Sequence, residues 1–301
     1  MPRAKSTKQV NDKYYTCEKH IHMCVDFLVD KIGNQLQIID PCAGDGRWEK
    51  HFLDYGFENI RMSDLDPASE KVKKLDFLDQ RLNLGTGVIF VTNPPFSLLP
   101  KIFNRMTEYQ PEFICILVPR SFGIKLGIRA RLNSNYSLKD NLPLPRLHFE
   151  NADGSSYSSK ESGVTTCFQI WEKKQRKEIL IPDVDNLGYM IYNQQTKDEY
   201  IGEDGKKHTN EIPVTKEMFD ADFVVVTHGS RTGTIEDFIP GTQKASVRAF
   251  VKVKEGYDKE IIRKRFETTD FSYFKVGATS SQLCINREEI ICCVEGVDYK
   301  L

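Results

Sequence analysis

Leu36-Gln37-Ile38-Ile39-Asp40-Pro41-Cys42-Ala43-Gly44-Asp45-Gly46-Arg47 is an apolar strand that ends in an acid, turns through two glycines and enters a helix predicted over 47–55. A glycine turn at the carboxyl end of a strand lets a ligand come close to the backbone, and that end of an open α/β sheet is where ligands bind. The neighbouring sequence repeats the pattern. Strands are predicted at 59–63, 88–91 and 113–118, the last two apolar throughout, each followed by a helix, at 67–72, 98–109 and 121–132. Upstream, Ile21, Cys24, Val25, Leu28, Val29 and Ile32 fall at three- and four-residue spacing, which predicts an amphipathic helix over 17–32. Strands that are apolar throughout belong to a parallel sheet covered on both faces. A doubly wound α/β fold is expected.

Two further strands, at 144–149 and 165–171, are joined by a Gly- and Ser-rich stretch, and as a hairpin they would close the sheet with one antiparallel edge. Past Lys173-Lys174-Gln175-Arg176-Lys177 the pattern changes. Strands are predicted at 189–192, 223–227 and 247–254, a hairpin at 199–209 around Asp204-Gly205, and helices at 260–266 and 287–294. The expected organisation is a first domain over 1–175 and a small α+β domain over 176–301.

The composition of the 301 residues, 40% hydrophobic and 28% charged, is that of a globular chain and excludes a wholly disordered one. No apolar run is long enough to span a membrane, and the charged start has no apolar segment behind it, so an intracellular, cytoplasmic protein is expected. The eight cysteines include no C-x-x-C pair, and Cys292-Cys293 are adjacent, so reduced thiols and no metal site are expected. The net charge is -1, yet the segment 101–148 carries net +5, with basic residues at 101, 105, 120, 125, 129, 131, 139 and 146 against acids at 108, 112 and 140. Such a segment is either a basic docking face or a solvated helix surface.

About twenty residues after Asp40, Asp64 stands at the end of the next strand, from which a carboxylate can accept both ribose hydroxyls of a nucleoside. The first turn lacks the G-x-G-x-x-G that seats a pyrophosphate, so a nucleoside without phosphates fits better. Val91-Thr92-Asn93-Pro94-Pro95-Phe96 then follows a strand that should end at the same crevice. Two prolines hold the backbone after Asn93 out of a helix. An adenine amino group is a poor nucleophile because its lone pair is delocalised into the ring. Two acceptors, the Asn93 amide oxygen and the Pro94 carbonyl, can take its two hydrogens and localise that lone pair. Phe96 can stack on a base that has left its duplex.

With these residues the chain resembles the amino-methylating class I methyltransferases that use S-adenosylmethionine, and in particular the adenine-specific enzymes of gamma motif order. There the cofactor motifs precede an N-P-P-[YF] loop and a target-recognition domain comes last. The resemblance covers roughly 13–174. It implies a Rossmann-like, mostly parallel seven-stranded sheet and S-adenosylmethionine as cofactor. By position, it implies cofactor contacts from Tyr15 and Thr16, from Asp40, Cys42, Gly44 and Gly46, from Asp64 at the ribose and from the Asp76-Phe77 pair at the cofactor's adenine. The catalytic loop would be Asn93, Pro94, Pro95 and Phe96. Phe149 matches either a second aromatic against the flipped base or a core residue at a strand end.

Two departures stand out. Thr16-Cys17 replaces the usual Thr-Pro, and Phe96 replaces the Tyr common in DNA enzymes, a form frequent among RNA adenine methylases. The partner implied is nucleic acid, with DNA favoured over RNA and oligomeric state open. In the second domain the turn 228–234, with Arg231, is either a contact to phosphates or base edges or a surface hairpin tip. A protein-glutamine amide methyltransferase and an inactive nucleic-acid-binding module are the competing readings.

Overall fold

The computed structural model describes residues 15–123, 125–145, 165–203, 205–272 and 284–298. The chain divides into two compact units, 1–123 with 131–178, and 124–130 with 179–301.

The first unit is built on seven strands: β1 Gln37–Asp40, β2 Ile60–Asp64, β3 Lys73–Lys74, β4 Val88–Thr92, β5 Phe113–Pro119, β6 Tyr136–Pro143 and β7 Thr166–Lys173. Their spatial order is β3-β2-β1-β4-β5-β7-β6. Neighbours from β3 to β5 are parallel, while β7 runs antiparallel to both β5 and β6. The sheet is therefore doubly wound, as expected, and an antiparallel hairpin closes its edge. From β1 the chain builds outward through β2 and β3, then crosses to β4 on the other side of β1. That reversal opens a crevice at the carboxyl ends of β1 and β4.

Three helices, α1 Glu18–Ile32, α2 Trp48–Asp54 and α3 Leu99–Thr107, flank this sheet. Side chains alternate across each strand. Ile38, Ile89, Val91 and Cys115 share one core with Val25 and Leu28 of α1 and Trp48 and Phe52 of α2. Phe90, between Ile89 and Val91, packs instead against Phe77 and Tyr109, with ring centres 5.7 and 5.8 Å away. Further along that aromatic layer, Phe103 of α3 meets Trp171 edge-on at 5.0 Å.

Three predicted elements differ. The stretch 67–72 forms turns rather than a helix, because Asp64 and Ser69 accept hydrogen bonds from nearby backbone amides, those of Asp66 and Lys71, and compete with helix formation. The helix predicted at 121–132 shrinks to α4 Leu126–Arg129, since Gly123 takes a positive φ of 72°. Of the strand expected at 144–149 only 144–145 are described, and these are not strand; the edge of the sheet is β6, which the sequence reading left unassigned. Its exposed, polar residues and terminal proline read as a loop because it is an edge strand; 146–149 lie outside the described residues.

The second unit holds β8 Tyr189–Tyr192, β9 Lys197–Ile201, β10 Lys207–Glu211, β11 Phe223–Val226, β12 Ile235–Asp237 and β13 Arg248–Val253. Four of them form an antiparallel sheet in the order β12-β11-β13-β8, and β9 and β10 form a separate hairpin. Phe223, Val225 and Val251 pack against α5 Lys259–Thr268 through Ile262 and Phe266, and against α6 Arg287–Val294 through Ile290 and Ile291. Leu126 is buried in this core and Lys125 pairs with Glu289 at 3.3 Å. Burial and charge pairing thus group 124–130, which the sequence reading puts in the first domain, with the second unit.

A Cβ on Gly123 would lie 2.7 Å from the ring of the buried Trp171, whereas one on Gly33, also at positive φ, would meet nothing within 4 Å. In urea denaturation Gly33→Ala should cost about 1 kcal/mol and Gly123→Ala at least about 2 kcal/mol. Equal losses would mean that Trp171 yields without cost.

Candidate active site

The crevice is assembled from strand ends. Asp40 closes β1 and Thr92 closes the neighbouring β4; both are buried, and the Thr92 hydroxyl donates to Asp40 Oδ1 at 2.6 Å. The Cys42 amide donates to the same oxygen at 3.1 Å, which curls the chain out of β1 into the glycine turn. At the end of β2, Asp64 Oδ2 accepts from the Gly44 amide and Oδ1 from the Asp66 amide, each at 2.9 Å. Asp64 is therefore pinned on both oxygens by backbone, and those bonds set how the carboxylate faces the turn.

Gly44 sits at a φ of +60°, and a Cβ there would lie 2.9 Å from the Tyr15 ring. Only glycine combines that conformation with that approach. Tyr15 in turn lies under Arg47, whose guanidinium is 4.7 Å from the ring centre. Arg47 donates from Nε and Nη2 to Asp45 Oδ2 at 3.0 and 2.8 Å and from Nη1 to the Thr16 carbonyl at 3.2 Å. The Thr16 hydroxyl accepts from Asn93 Nδ2 at 3.1 Å. An N-terminal segment, the turn after β1 and the loop after β4 thereby meet around one cavity of about 480 Å³. Its lining includes Tyr15, Thr16, Cys42, Gly44, Asp64, Asp76, Phe77, Asn93, Pro94 and Pro95. That volume lies in the range of small-molecule sites.

No protein-family model and no curated protein sequence matches this chain. Solved structures do share the architecture at a distance. One is the "putative RNA methyltransferase" of Pyrococcus horikoshii, 14% identical over 56% of this chain and 91% of that one, with a TM-score of 0.40. Another is the type I restriction-modification system methyltransferase subunit of Streptococcus thermophilus, 10% identical over 57% of this chain and 47% of its own, at 0.38. A third is the 1,6-didemethyltoxoflavin-N1-methyltransferase of Burkholderia thailandensis with bound S-adenosylhomocysteine, 14% identical over 52% and 80%, at 0.36. Likeness this distant carries nothing about ligand or substrate.

Ten of the residues singled out in the sequence thus line one cavity. Asp40 and Gly46 stand behind it; a Cβ on Gly46 would lie 3.1 Å from Val72. Phe96 is half-buried against the core that includes Phe168, away from the lining. Phe149 lies outside the described residues. Arg231 belongs to the second unit, where it pairs with Glu236 at 2.6 Å in a turn held by the Thr232 and Thr234 hydroxyls. Leu65, Leu78, Asp45 and Arg47 also line the cavity and were missed. For Arg47 the only signal was a charge at the mouth of the glycine turn; its aromatic partner is 32 residues earlier. Among the described residues no cluster of His, Cys, Asp or Glu is arranged to hold a metal ion, and no helix is long and apolar enough to cross a membrane.

Three of the eight basic residues in the segment 101–148 are committed to internal partners. Arg105 binds the carbonyls of Phe77 and Gln80 and the Glu108 carboxylate. Arg120 binds those of Thr166 and Leu144, and Lys125 pairs with Glu289. These three charges brace loops and strand ends.

Burial raises the Asp40 carboxyl to about 7, against the lowering effect of its bonds from Thr92 and Cys42, and the nearby Asp64 raises it further. An acid whose folded value lies above its unfolded one, near 3.8, loses stabilisation as pH rises between the two, because the native state holds the proton more tightly. Asn at this position can accept from Cys42 and pair with Thr92 without that penalty. Without added cofactor, Asp40→Asn should therefore match the parent near pH 4 and exceed it by on the order of 1–3 kcal/mol at pH 7 and above. Parallel melting curves from pH 4 to 8 test this; a gap that does not change with pH would show that Asp40 ionises normally.

Proposed function

We propose that this protein is an S-adenosylmethionine-dependent methyltransferase acting on the exocyclic 6-amino group of adenine in nucleic acid, with DNA as the favoured polymer. The reading rests on one observation: Asn93 and Pro94, on the loop after β4, line the same cavity as Asp64, Asp76 and the Gly44 turn. The donor set fits a nucleoside carrying an amino acid arm. Asp64 can accept ribose hydroxyls and Asp76 an exocyclic amine, while Leu65, Leu75, Phe77 and Leu78 offer an apolar slot for a purine. Backbone at Gly44 can approach the arm closely because no side chain intervenes. When bound, the cofactor would supply an electrophilic methyl group on a sulfonium.

The protein's own task is to make a poor nucleophile react. Asn93 Oδ1 and the Pro94 carbonyl accept hydrogen bonds from the two hydrogens of the target amine, so that the nitrogen becomes pyramidal and its lone pair points along the line of transfer. Pro95, with a φ of -58°, holds the loop in that shape without any ligand-induced ordering. The methylated amine is cationic and loses its extra proton readily, so no strong base is required. Duplex substrate must give up the target base from its stack to reach this cavity. Phe96 is the proposed stacking partner, and from its half-buried place beside the loop it would have to turn toward the base.

Methyl transfer from tritiated S-adenosylmethionine to duplex DNA, single-stranded DNA and total RNA, run in parallel, tests the proposal. Label in adenine of one polymer is expected, reduced about a hundredfold or more by Asn93→Ala. Binding of S-adenosylhomocysteine should survive that substitution and weaken about ten- to a hundredfold in Asp64→Ala. Cofactor binding with no label in any polymer would point to an amide or small-molecule acceptor; no cofactor binding would overturn the reading.

A further inference from the structure

An asparagine amide has two ends of nearly equal size and opposite hydrogen-bonding character. Only one arrangement serves the chemistry above: with Oδ1 toward the substrate amine, an acceptor meets donors, whereas with Nδ2 there, donors meet donors. Something must therefore hold the amide plane and its direction. One contact on the amide comes from Thr16, 77 residues earlier, whose hydroxyl oxygen accepts from Asn93 Nδ2 at 3.1 Å; with Nδ2 on that side, Oδ1 faces away from Thr16. Thr16 is 1% exposed, which restricts the movement of its side chain.

Thr16 is itself clamped. Arg47 reaches the Thr16 carbonyl at 3.2 Å, lies over the Tyr15 ring at 4.7 Å and is locked through two nitrogens on Asp45. The absent side chain at Gly44 leaves the room that Tyr15 occupies. We infer that Thr16 and Arg47 are positioning residues that hold the Asn93 amide with its oxygen as the outward acceptor. The chain Asp45, Arg47, Thr16, Asn93 ties the glycine turn of β1 to the loop of β4. This assignment rests on Asn93 being the acceptor for a target amine, but the orientation of the amide can be read without any substrate.

Protein labelled with ¹⁵N only at asparagine side chains supplies that reading. The Asn93 amide pair, identified by its absence from Asn93→Ala, should exchange slowly with solvent in the parent and in Thr16→Ser. It should shift and exchange faster in Thr16→Val, which keeps the shape of threonine and removes the hydroxyl, and in Arg47→Ala. At saturating cofactor, Thr16→Val should lower the single-turnover methyl-transfer rate by about tenfold, with Thr16→Ser restoring it; because Thr16 also lines the cavity, S-adenosylhomocysteine affinity is measured for each variant so that rates are compared at saturation. An Asn93 signal unchanged in Thr16→Val overturns the inference, as does a rate loss that disappears once cofactor is saturating. Should the parent methylate no polymer, the proposed substrate fails and the amide signal alone decides the role of Thr16.

Discussion

The hydrogen bond from Thr92 to the buried Asp40 carboxyl, 2.6 Å long, joins the ends of the two strands that flank the reversal of the sheet. Every other feature of the site hangs from it. With β1 and β4 adjacent and level, Cys42 can bond back to Asp40 and turn the chain, the turn can carry Gly44 to Asp64 on β2, and Asn93 emerges one residue past Thr92 beside that turn. The arrangement costs stability, because burial pushes the Asp40 carboxyl up to about 7. A nonpolar pair at these positions would cost less but could not accept the Cys42 amide. The acid is kept where backbone must change direction next to a ligand, the place where strain and buried polarity concentrate in α/β folds.

The second lesson concerns charge. A net of +5 over 101–148 invites the idea of a nucleic-acid face. In the folded chain Arg105 and Arg120 instead donate to backbone carbonyls, those of Phe77 and Gln80 and those of Thr166 and Leu144. Guanidinium groups suit this work because one planar fork can serve two oxygens. A linear count of lysine and arginine is therefore a poor guide wherever loops need bracing.

What the sequence revealed follows from the range of the forces involved. The all-apolar runs Val88 to Val91 and Phe113 to Val118 are buried strands because nothing but a two-sided core accommodates them, and both were legible from composition alone. The motifs at Asp40, Asp64 and Asn93 were legible because each sits at a strand end, and strand ends on one side of a parallel sheet converge, whereas Asp76 was implied only by the family resemblance, since no strand was predicted before it. The edge strand β6 was not legible, since only Tyr136 of its residues is fully buried and its polar residues break the apolar pattern of a strand. Nor was the fate of 124–130, a seven-residue piece whose allegiance is decided by Leu126 and Lys125 finding partners more than 50 residues away. Arg47 went unread for a similar reason. Its meaning lies in Tyr15 and Thr16, and no local pattern couples a residue at a helix start to an aromatic 32 residues before it.

That coupling bears on how such a site can be built at all. The sheet positions acids and the Asn-Pro-Pro loop rigidly, but it supplies only one wall of the cavity; the segment with Tyr15 and Thr16 supplies another and belongs to no long strand. A short segment is held only by what it touches. Among the groups that hold Tyr15 and Thr16 are the Arg47 guanidinium, stacked on the ring and donating to the Thr16 carbonyl, and the Asn93 side-chain amide, both directional, together with a glycine that leaves space for the ring. Directional contacts fix orientation at small cost in buried area, which suits a wall that must also meet a ligand. The consequence is mutual dependence: the segment cannot shift without loosening the Asn93 amide, and the amide cannot turn without losing its partner on the segment. Holding the cofactor wall and orienting the reactive loop are therefore one structural problem in this protein, solved by the same few side chains.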